Sequence, residues 1–341
     1  MSVAAIPRVL HVTEALGGGV QSAIAHFVDQ TPGAEHTIYG RVRDGEETKT
    51  PAGAATIPHT GSFLDFSRGL RRVIAEVDPV AVHFHSSLAG ALRPFAGGAR
   101  VIYSPHCFAF RRSDVSGLQR TVFRTVERLM GRFTDGIVAV SPYEAEDAAR
   151  FVAPSKVSIV SNLAPIDTFE PAPVHGRRVV TVGRIAPQKD PGFFAEVARN
   201  TPDTLFTWVG DGDATARRQL EDAGVEVTGW QSPDQIDATL RKSDLYLHTA
   251  AWEASPMSLV EALAVGLPVV CREEPSLRSL GYLCVEDSPA RVATTVQSFF
   301  DDAPVAHQVT ERAAAVVESL RHIPSGERLM HAYLGDTEVT K

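Results

Sequence analysis

Cysteine is scarce in this chain. There are three among 341 residues, Cys107, Cys271 and Cys284, an odd number with no metal-ligand spacing. That argues against a disulfide framework or a cysteine-built zinc site and fits reduced thiols in a cytosol. Positive charge is short too: 33 Lys and Arg face 41 Asp and Glu, a net charge of −8. No domain-wide basic field is available to gather phosphates, so nucleic acid is not an expected partner. Long apolar runs are missing; no stretch approaches a membrane span, and the opening MSVAAIPRVLHVTEA has neither a basic start nor a long apolar core. The expected location is therefore the cytoplasm, with at most peripheral contact at the inner membrane face. Also absent after the first strand is G-x-G-x-x-G, which disfavours a dinucleotide oxidoreductase.

What is present suits two domains, with 44% hydrophobic residues to build two cores. Arg8 to Ala15 reads as a buried strand running into Gly17-Gly18-Gly19 and a helix from Val20 to Gln30, a strand, glycine loop and helix suited to phosphate approach. Strands at 36–42, 81–86, 100–106, 136–141 and 157–162 then alternate with helices at 63–77, 87–95, 118–133 and 143–152. Such alternation predicts a parallel sheet covered on both faces. Polar residues sit at its strand ends: His83, His85, His106, Ser141 and Asn162. The proline-rich, aperiodic run from Asn162 to Arg177 reads as a linker. The expected domains are residues 1–165 and 166–322, with 323–341 as a closing helix and tail.

Two stretches of the second half carry chemistry. Arg178–Ile185 is a strand ending in Gly183-Arg184, followed by Lys189 and a helix from Gly192. An arginine fork and a lysine charge beyond a strand end suit a diphosphate. Farther on, a strand at Leu245–Thr249 leads to a loop with Glu253 and a helix from Ser258 to Val265 that holds Glu261. The two carboxylates are expected to look into one crevice at the carboxyl end of a strand, together with the N–H groups of the helix start. Asp211 and Asp213 form a D-x-D that reads as a strand-to-helix turn, and Ser232-Pro-Asp-Gln235 reads as a capping box.

The run Glu253-Ala-Ser-Pro-Met-Ser-Leu-Val-Glu261, followed by Ala-Leu-Ala-Val-Gly-Leu-Pro-Val-Val, resembles the E-x7-E element of the retaining, family-4-like GT-B glycosyltransferases. Gly183-Arg184 with Lys189 resembles the G-R-x4-K element of the same family. The resemblance implies an α/β fold of the GT-B type, two Rossmann-like, doubly wound parallel-sheet domains facing across a cleft. It implies a nucleotide-sugar donor in the second domain, with Glu261 on the ribose, Glu253 by the transferred sugar and Gly183, Arg184 and Lys189 on the diphosphate. Ser258 and Leu259 would lie at the donor beside Glu261. The loop Gly17-Gly18-Gly19 would meet the donor phosphates or the acceptor, and His106, in Tyr-Ser-Pro-His, would reach the sugar near the reacting carbon. Catalysis would then rest on His106, Glu253, Arg184 and Lys189, with retention of configuration and with neither a metal nor a cofactor beyond the donor. The last helix would cross back to the first domain. Two departures stand out: Ala254-Ser255-Pro256 where many relatives have Gly-Phe-Gly, and Asn162-Leu-Ala-Pro-Ile-Asp167 where they have Asn-Gly-Val/Ile-Asp.

The helix from Leu118 to Phe133 adds a further expectation. Arg120, Arg124, Arg128 and Arg132 form a basic stripe, and Leu118, Val122, Val126, Leu129 and Phe133 an apolar one. This suits either a solvated face or contact with an anionic membrane, the arrangement of relatives with lipid-linked acceptors. Two alternative activities share the resemblance: a nucleotide-sugar 2-epimerase and a non-catalytic sugar-nucleotide binder.

Overall fold

The computed structural model describes residues 6–42, 50–160, 162, 166, 168–174 and 176–335. They divide into two compact units, one drawing on Met1–Arg111, Val115–Asn162 and Ile323–Lys341, the other on Arg112–Asp114 and Leu163–His322. Of the proposed linker motif, Leu163, Ala164, Pro165 and Asp167 lie outside the described residues.

The first unit holds seven strands, β1 (Arg8–Thr13), β2 (Glu35–Arg41), β3 (Ala54–His59), β4 (Ala81–His85), β5 (Arg100–Ser104), β6 (Gly136–Ala139) and β7 (Val157–Ile159). They pair in parallel in the order β3-β2-β1-β4-β5-β6-β7. The helices are α1 (Gly18–Gln30), α2 (Phe63–Val77), α3 (Ser87–Gly90), α4 (Gly117–Met130) and α5 (Pro142–Ala148), joined by α13 (Ser325–Leu334) from the far end of the chain. The central strands are buried on both faces. Val12, Val82 and Phe84 pack toward Phe66 and Leu70 of α2, while Val9, Ala81 and Ile102 pack toward Phe27 of α1 and Leu329, Ala332 and Tyr333 of α13. Covering both faces is what makes these strands read as unbroken apolar runs.

Two local differences from the sequence reading have physical causes. The edge strand β3 was not expected, because it is only partly buried and carries Pro58, which an edge tolerates. The helix expected over 87–95 is one turn at Ser87–Gly90 and a 3₁₀ turn at Arg93–Phe95. Pro94 lacks the N–H that would bond Gly90 O to continue an α-helix.

The second unit holds β8 (Arg178–Val182), β9 (Leu205–Val209), β10 (Glu226–Val227), β11 (Leu245–His248), β12 (Val269–Arg272) and β13 (Cys284–Val285), parallel in the order β10-β9-β8-β11-β12-β13. Around it lie α6 (Pro191–Arg199), α7 (Ala214–Glu221), α8 (Pro233–Leu240), α9 (Met257–Ala264), α10 (Pro275–Ser279), α11 (Pro289–Asp301) and α12 (Ala303–Arg321). The expected capping box opens α8: Gln235 N–H meets Ser232 Oγ at 3.3 Å, and Ser232 N–H meets Gln235 Oε1 at 2.9 Å. Phe194, Phe206 and Trp208 anchor the core.

Strand order reverses between β1 and β4 in the first sheet and between β8 and β11 in the second. In open α/β sheets the carboxyl ends of strands at such a reversal are where ligands bind. The candidate residues are reached from these two points.

Candidate active site

In the second unit, β8 ends at Gly183, whose φ of 157° and whose approach to the Lys189 side chain leave little room for a Cβ, which would come 3.1 Å from Lys189 Cε. The chain then makes a 3₁₀ turn at Pro187–Lys189 and enters α6, capped by Asp190, whose Oδ1 accepts from Phe193 N–H at 3.1 Å. The loop after β11 is stitched to that turn. Thr249 Oγ1 donates to Lys189 O (3.0 Å), Ala251 N–H to Gln188 O (2.9 Å) and Gln188 Nε2 to Trp252 O (3.2 Å). Arg272, at the end of β12, reaches Asp190 and Asp287 at 2.5 Å each and stacks over Phe193.

This scaffold brings Lys189 and Glu253 together, with Nζ to Oε1 at 2.5 Å and side chains 19% and 8% exposed. Burial alone would push the Glu253 carboxyl up, but the Lys189 charge and His248 outweigh it and hold it down at about 2. Burial likewise works against a charged Lys189, and Glu253 more than offsets it, so the ammonium is raised. His248 Nε2 lies 3.6 Å from Glu253 Oε1. Behind the loop, Ser276 Oγ donates to Ala254 O at 2.5 Å, and Glu274 caps α10 with its carboxyl pushed up to about 7 by burial.

Glu261 is elsewhere in character. Helix α9 starts at Met257, one residue before the expected Ser258, so Glu261 is its fifth residue. Its side chain is exposed, has no hydrogen-bond or ion-pair partner among the described residues, and is raised by partial desolvation. The two glutamates therefore have opposite surroundings, one buried and paired, one open. Ser258 is half-buried at the second position of α9, and Leu259 is buried with its N–H meeting Pro256 O at 3.1 Å. Arg184 stands exposed on the loop after β8. The D-x-D is a turn: Asp213 Oδ1 caps α7 through Thr215 and Ala216 N–H, and Asp211 Oδ2 pairs with Arg217 at 2.8 Å.

In the first unit, α1 opens on Gly17, extended at φ 165°, and on Gly18 at φ 54°, with no side-chain cap. A Cβ at Gly18 or Gly19 would meet nothing within 4 Å, so packing does not demand glycine there. The neighbouring strand end is held by Glu14, which accepts from Ser86 Oγ at 2.6 and 2.7 Å and from Ala89 N–H at 3.1 Å. His106 and Cys107 have φ of 49° and 80°, a strained pair for residues with side chains. Glu144 holds them there, accepting from Cys107 N–H at 2.7 Å and from Val140 N–H at 2.9 Å.

His106 is the end of a line of histidines that the sequence reading did not assemble. His106 Nε2 meets His85 Nδ1 at 3.0 Å, His85 Nε2 meets His11 Nδ1 at 2.9 Å, and His11 Nε2 meets His36 Nδ1 at 3.0 Å. Burial pushes all four imidazoles down, His106 to about 4. One ring nitrogen each of His11, His83 and His85 lies within 4.8 Å of the others, a spacing that three metal ligands could share. Every ring nitrogen of these three already has a partner, however: His83 meets Tyr333 Oη (3.1 Å) and Ser104 Oγ (2.9 Å), and the others bond as above. The only signal available beforehand was His83 and His85 on one face of a strand. Their pairing with His11 depends on register between β1 and β4, which no single sequence displays.

Residues 167–316 match the family model described as glycosyl transferases group 1, and residues 7–162 match that of the glycosyl transferase 4-like domain. The chain belongs to the GT-B glycosyltransferases. The glycosyltransferase is 26% identical over 298 residues to an uncharacterized 41.2 kDa protein in the cps region of Klebsiella pneumoniae, covering 79% of this chain and 82% of that one. It is 27% identical over 226 residues to the UDP-Gal:alpha-D-GlcNAc-diphosphoundecaprenol alpha-1,3-galactosyltransferase of Escherichia coli, covering 55% and 56%. Among solved structures, sucrose-phosphate synthase from Thermosynechococcus elongatus superposes with a TM-score of 0.77 at 15% identity over 92% of this chain and 94% of that one. HepE of Anabaena, solved with UDP and glucose, gives 0.74 at 14% identity over 96% and 99%.

The arginine helix of this glycosyltransferase is α4. It buries Phe123 partly and Glu127 fully, not the Leu/Val row. Leu118, Val122, Val126, Leu129 and Phe133 all stand at the surface, from 36% exposed at Val126 to 77% at Leu118. Arg124, Arg128 and Arg132 are exposed along the flank of that row. No helix among the described residues is long and apolar enough to cross a membrane.

Proposed function

We propose that the enzyme moves a sugar from a nucleoside-diphosphate sugar to an acceptor hydroxyl, with retention of anomeric configuration and without a metal ion, in the synthesis of a polysaccharide, glycolipid or glycoconjugate. The observation that carries the reading is the part-buried Lys189–Glu253 pair at the strand reversal of the second sheet. Glu253 more than offsets the burial that works against a charged Lys189, and of the three ammonium protons only one is spent on Glu253. Lys189 and the Arg184 fork then supply positive charge where the diphosphate departs, which is where stabilisation lowers the barrier. The ionised Glu253 accepts hydrogen bonds from the sugar, and Glu261, exposed and without a partner among the described residues, accepts from the ribose diol. In the first unit His106 and the Gly17–Gly19 loop serve the transferred sugar and the phosphates or acceptor. The acceptor hydroxyl attacks from the side the diphosphate leaves, and the leaving phosphate takes its proton. The Escherichia coli relative's name gives a UDP-sugar donor and a lipid-diphosphate acceptor, and HepE holds UDP and glucose; both support this chemistry.

Thermal unfolding against a panel of nucleotide sugars tests the reading. A ligand at 100 times its Kd should stabilise the protein by about 2.7 kcal/mol, and one base and sugar should stand out. No response to any nucleoside diphosphate or its sugars would sink it. Within this reading, Glu261→Ala should weaken nucleoside-diphosphate binding by about 1.5–3 kcal/mol, the scale of a hydrogen bond to a charged group. Calorimetry on the folded variant decides, and an unchanged Kd rules out the ribose contact.

The surface of α4 extends the proposal to the membrane. An apolar row left at the surface and flanked by arginines is the pattern of a helix that lies in an anionic bilayer interface. Flotation with phosphatidylglycerol-containing vesicles should fall steeply with salt and on reversing Arg124 and Arg128 to glutamate. Equal binding to neutral and anionic vesicles would leave α4 as a solvated face.

A further inference from the structure

The four-histidine line has a direction, and it is set at its far end. Thr31 Oγ1 donates its single proton to Phe27 O at 2.6 Å, so toward His36 Nε2, at 3.0 Å, it can only accept. Thr31 O, also facing that nitrogen at 3.2 Å, has no proton to give. His36 must therefore carry its proton on Nε2. These rings are buried, and a neutral imidazole has one N–H and one lone pair. His36 Nδ1 is then an acceptor, which requires His11 to be protonated on Nε2. The same step repeats through His85 to His106, since each Nδ1 faces the next residue's Nε2. At the end, His106 Nδ1 is a lone pair with no partner among the described residues, on a half-buried side chain. His83 stands outside the line. Its Nε2 faces Ser104 Oγ, whose proton goes to Val138 O at 2.9 Å, and its Nδ1 takes the Tyr333 hydroxyl.

We propose that His36, His11 and His85 are positioning residues that hold His106 as the Nε2–H tautomer and present its Nδ1 as a hydrogen-bond acceptor, so that the ligand group His106 takes is a donor, a sugar or acceptor hydroxyl and not a phosphate oxygen. The inference rests on the placement of His106 at the substrate given above. Which nitrogen of an imidazole is protonated is set by the bond the other one makes, and here the setting is relayed across β2, β1 and β4 from a threonine on the opposite side of the line. A phosphate oxygen has no proton to offer such a nitrogen; a hydroxyl does.

Long-range ¹H–¹⁵N correlation spectra of protein labelled in histidine read the tautomer directly. In the unaltered protein His36, His11, His85 and His106 should all show the Nε2–H pattern. An Nδ1–H pattern at His106 overturns the proposal, whatever becomes of the variants. His36→Leu removes the anchoring acceptor, and His106 should become a tautomer mixture with turnover lowered by up to about tenfold, the scale of one neutral hydrogen bond. His36→Asn places a carbonyl oxygen where Nδ1 stood, and should restore both the Nε2–H pattern and turnover. A pure Nε2–H His106 in folded His36→Leu also overturns the proposal. Unchanged turnover in His106→Phe overturns instead the placement of His106 at the substrate, a result the spectra do not touch.

Discussion

Lys189→Ala and Arg184→Ala should each lower kcat by about 10²–10³, the loss expected for one charge-assisted contact that tightens in the transition state, and neither should recover with magnesium or manganese. The two positions differ in a way that separates chemistry from folding. Arg184 is exposed, so its removal should disturb the fold less than removal of a part-buried charge. Lys189 is the part-buried partner of Glu253, and its removal leaves that carboxylate unpaired where burial disfavours charge, at a cost of up to about 3 kcal/mol in stability. Lys189→Ala should thus lose more Tm than Arg184→Ala for a comparable loss of kcat. The unaltered enzyme should work in excess chelator and return product with the donor's anomeric configuration. An enzyme silenced by chelator and revived by manganese would overturn the charge assignment. It would return Asp211 and Asp213 to view, although both carboxylates are engaged in the α7 cap and the Arg217 pair.

The second large effect lies away from the chemistry, at Arg93. This side chain, 2% exposed, pairs with the buried Glu127 of α4 at 2.6 Å, bonds Thr134 Oγ1 at 3.0 Å and Gly90 O at 2.6 Å, and lies 3.9 Å over the Tyr103 ring. Tyr103 Oη donates to the other Glu127 oxygen at 2.8 Å. Because α4 exposes its apolar row, this polar network, with Phe123 packed on the core beside it, ties the helix to the sheet. Arg93→Met should cost about 3–5 kcal/mol by leaving Glu127 buried and unpaired, and urea unfolding should show it. Replacing both partners, Arg93→Met with Glu127→Leu, should recover most of the loss, since removing a buried pair whole is often close to neutral. A single-variant loss under about 1 kcal/mol would mean that α4 is held by something else. Hydrogen exchange along α4 should rise in the single variant before it rises in β4 or β5.

The alternation of strands and helices was legible because each central strand is buried on both faces and each helix is amphipathic; these are local properties. The switch from Gly183 to Lys189 and the carboxylate at Glu253 were legible as a motif, and the structure joins Lys189 to Glu253 across 64 positions of sequence. What stayed hidden depends on register. His11, His36 and His85 meet only because β1 lies between β2 and β4 with those rows aligned. The same holds for Glu144 under the Cys107 backbone and for Arg93 under α4, each the product of elements brought together by the sheet order. On α4 the apolar row stays at the surface, while Glu127 is buried and Phe123 partly so; which face meets the sheet is likewise set by the tertiary partners.

The position of α13 bears on how the protein is made. The last helix supplies Leu329, Ala332 and Tyr333 to one face of the first sheet, with Arg100 Nε bonded to Ala332 O at 2.8 Å. A ribosome adding 5–20 residues per second therefore leaves that face without its α13 cover for roughly 10–30 s while residues 163–322 emerge. During that interval Val9, Ala81 and Ile102 have Phe27 of α1 but not α13 over them, so the amino-terminal half is the aggregation-exposed part of the nascent chain and the one a chaperone would have to shield. Its completion waits on the emergence of the second half.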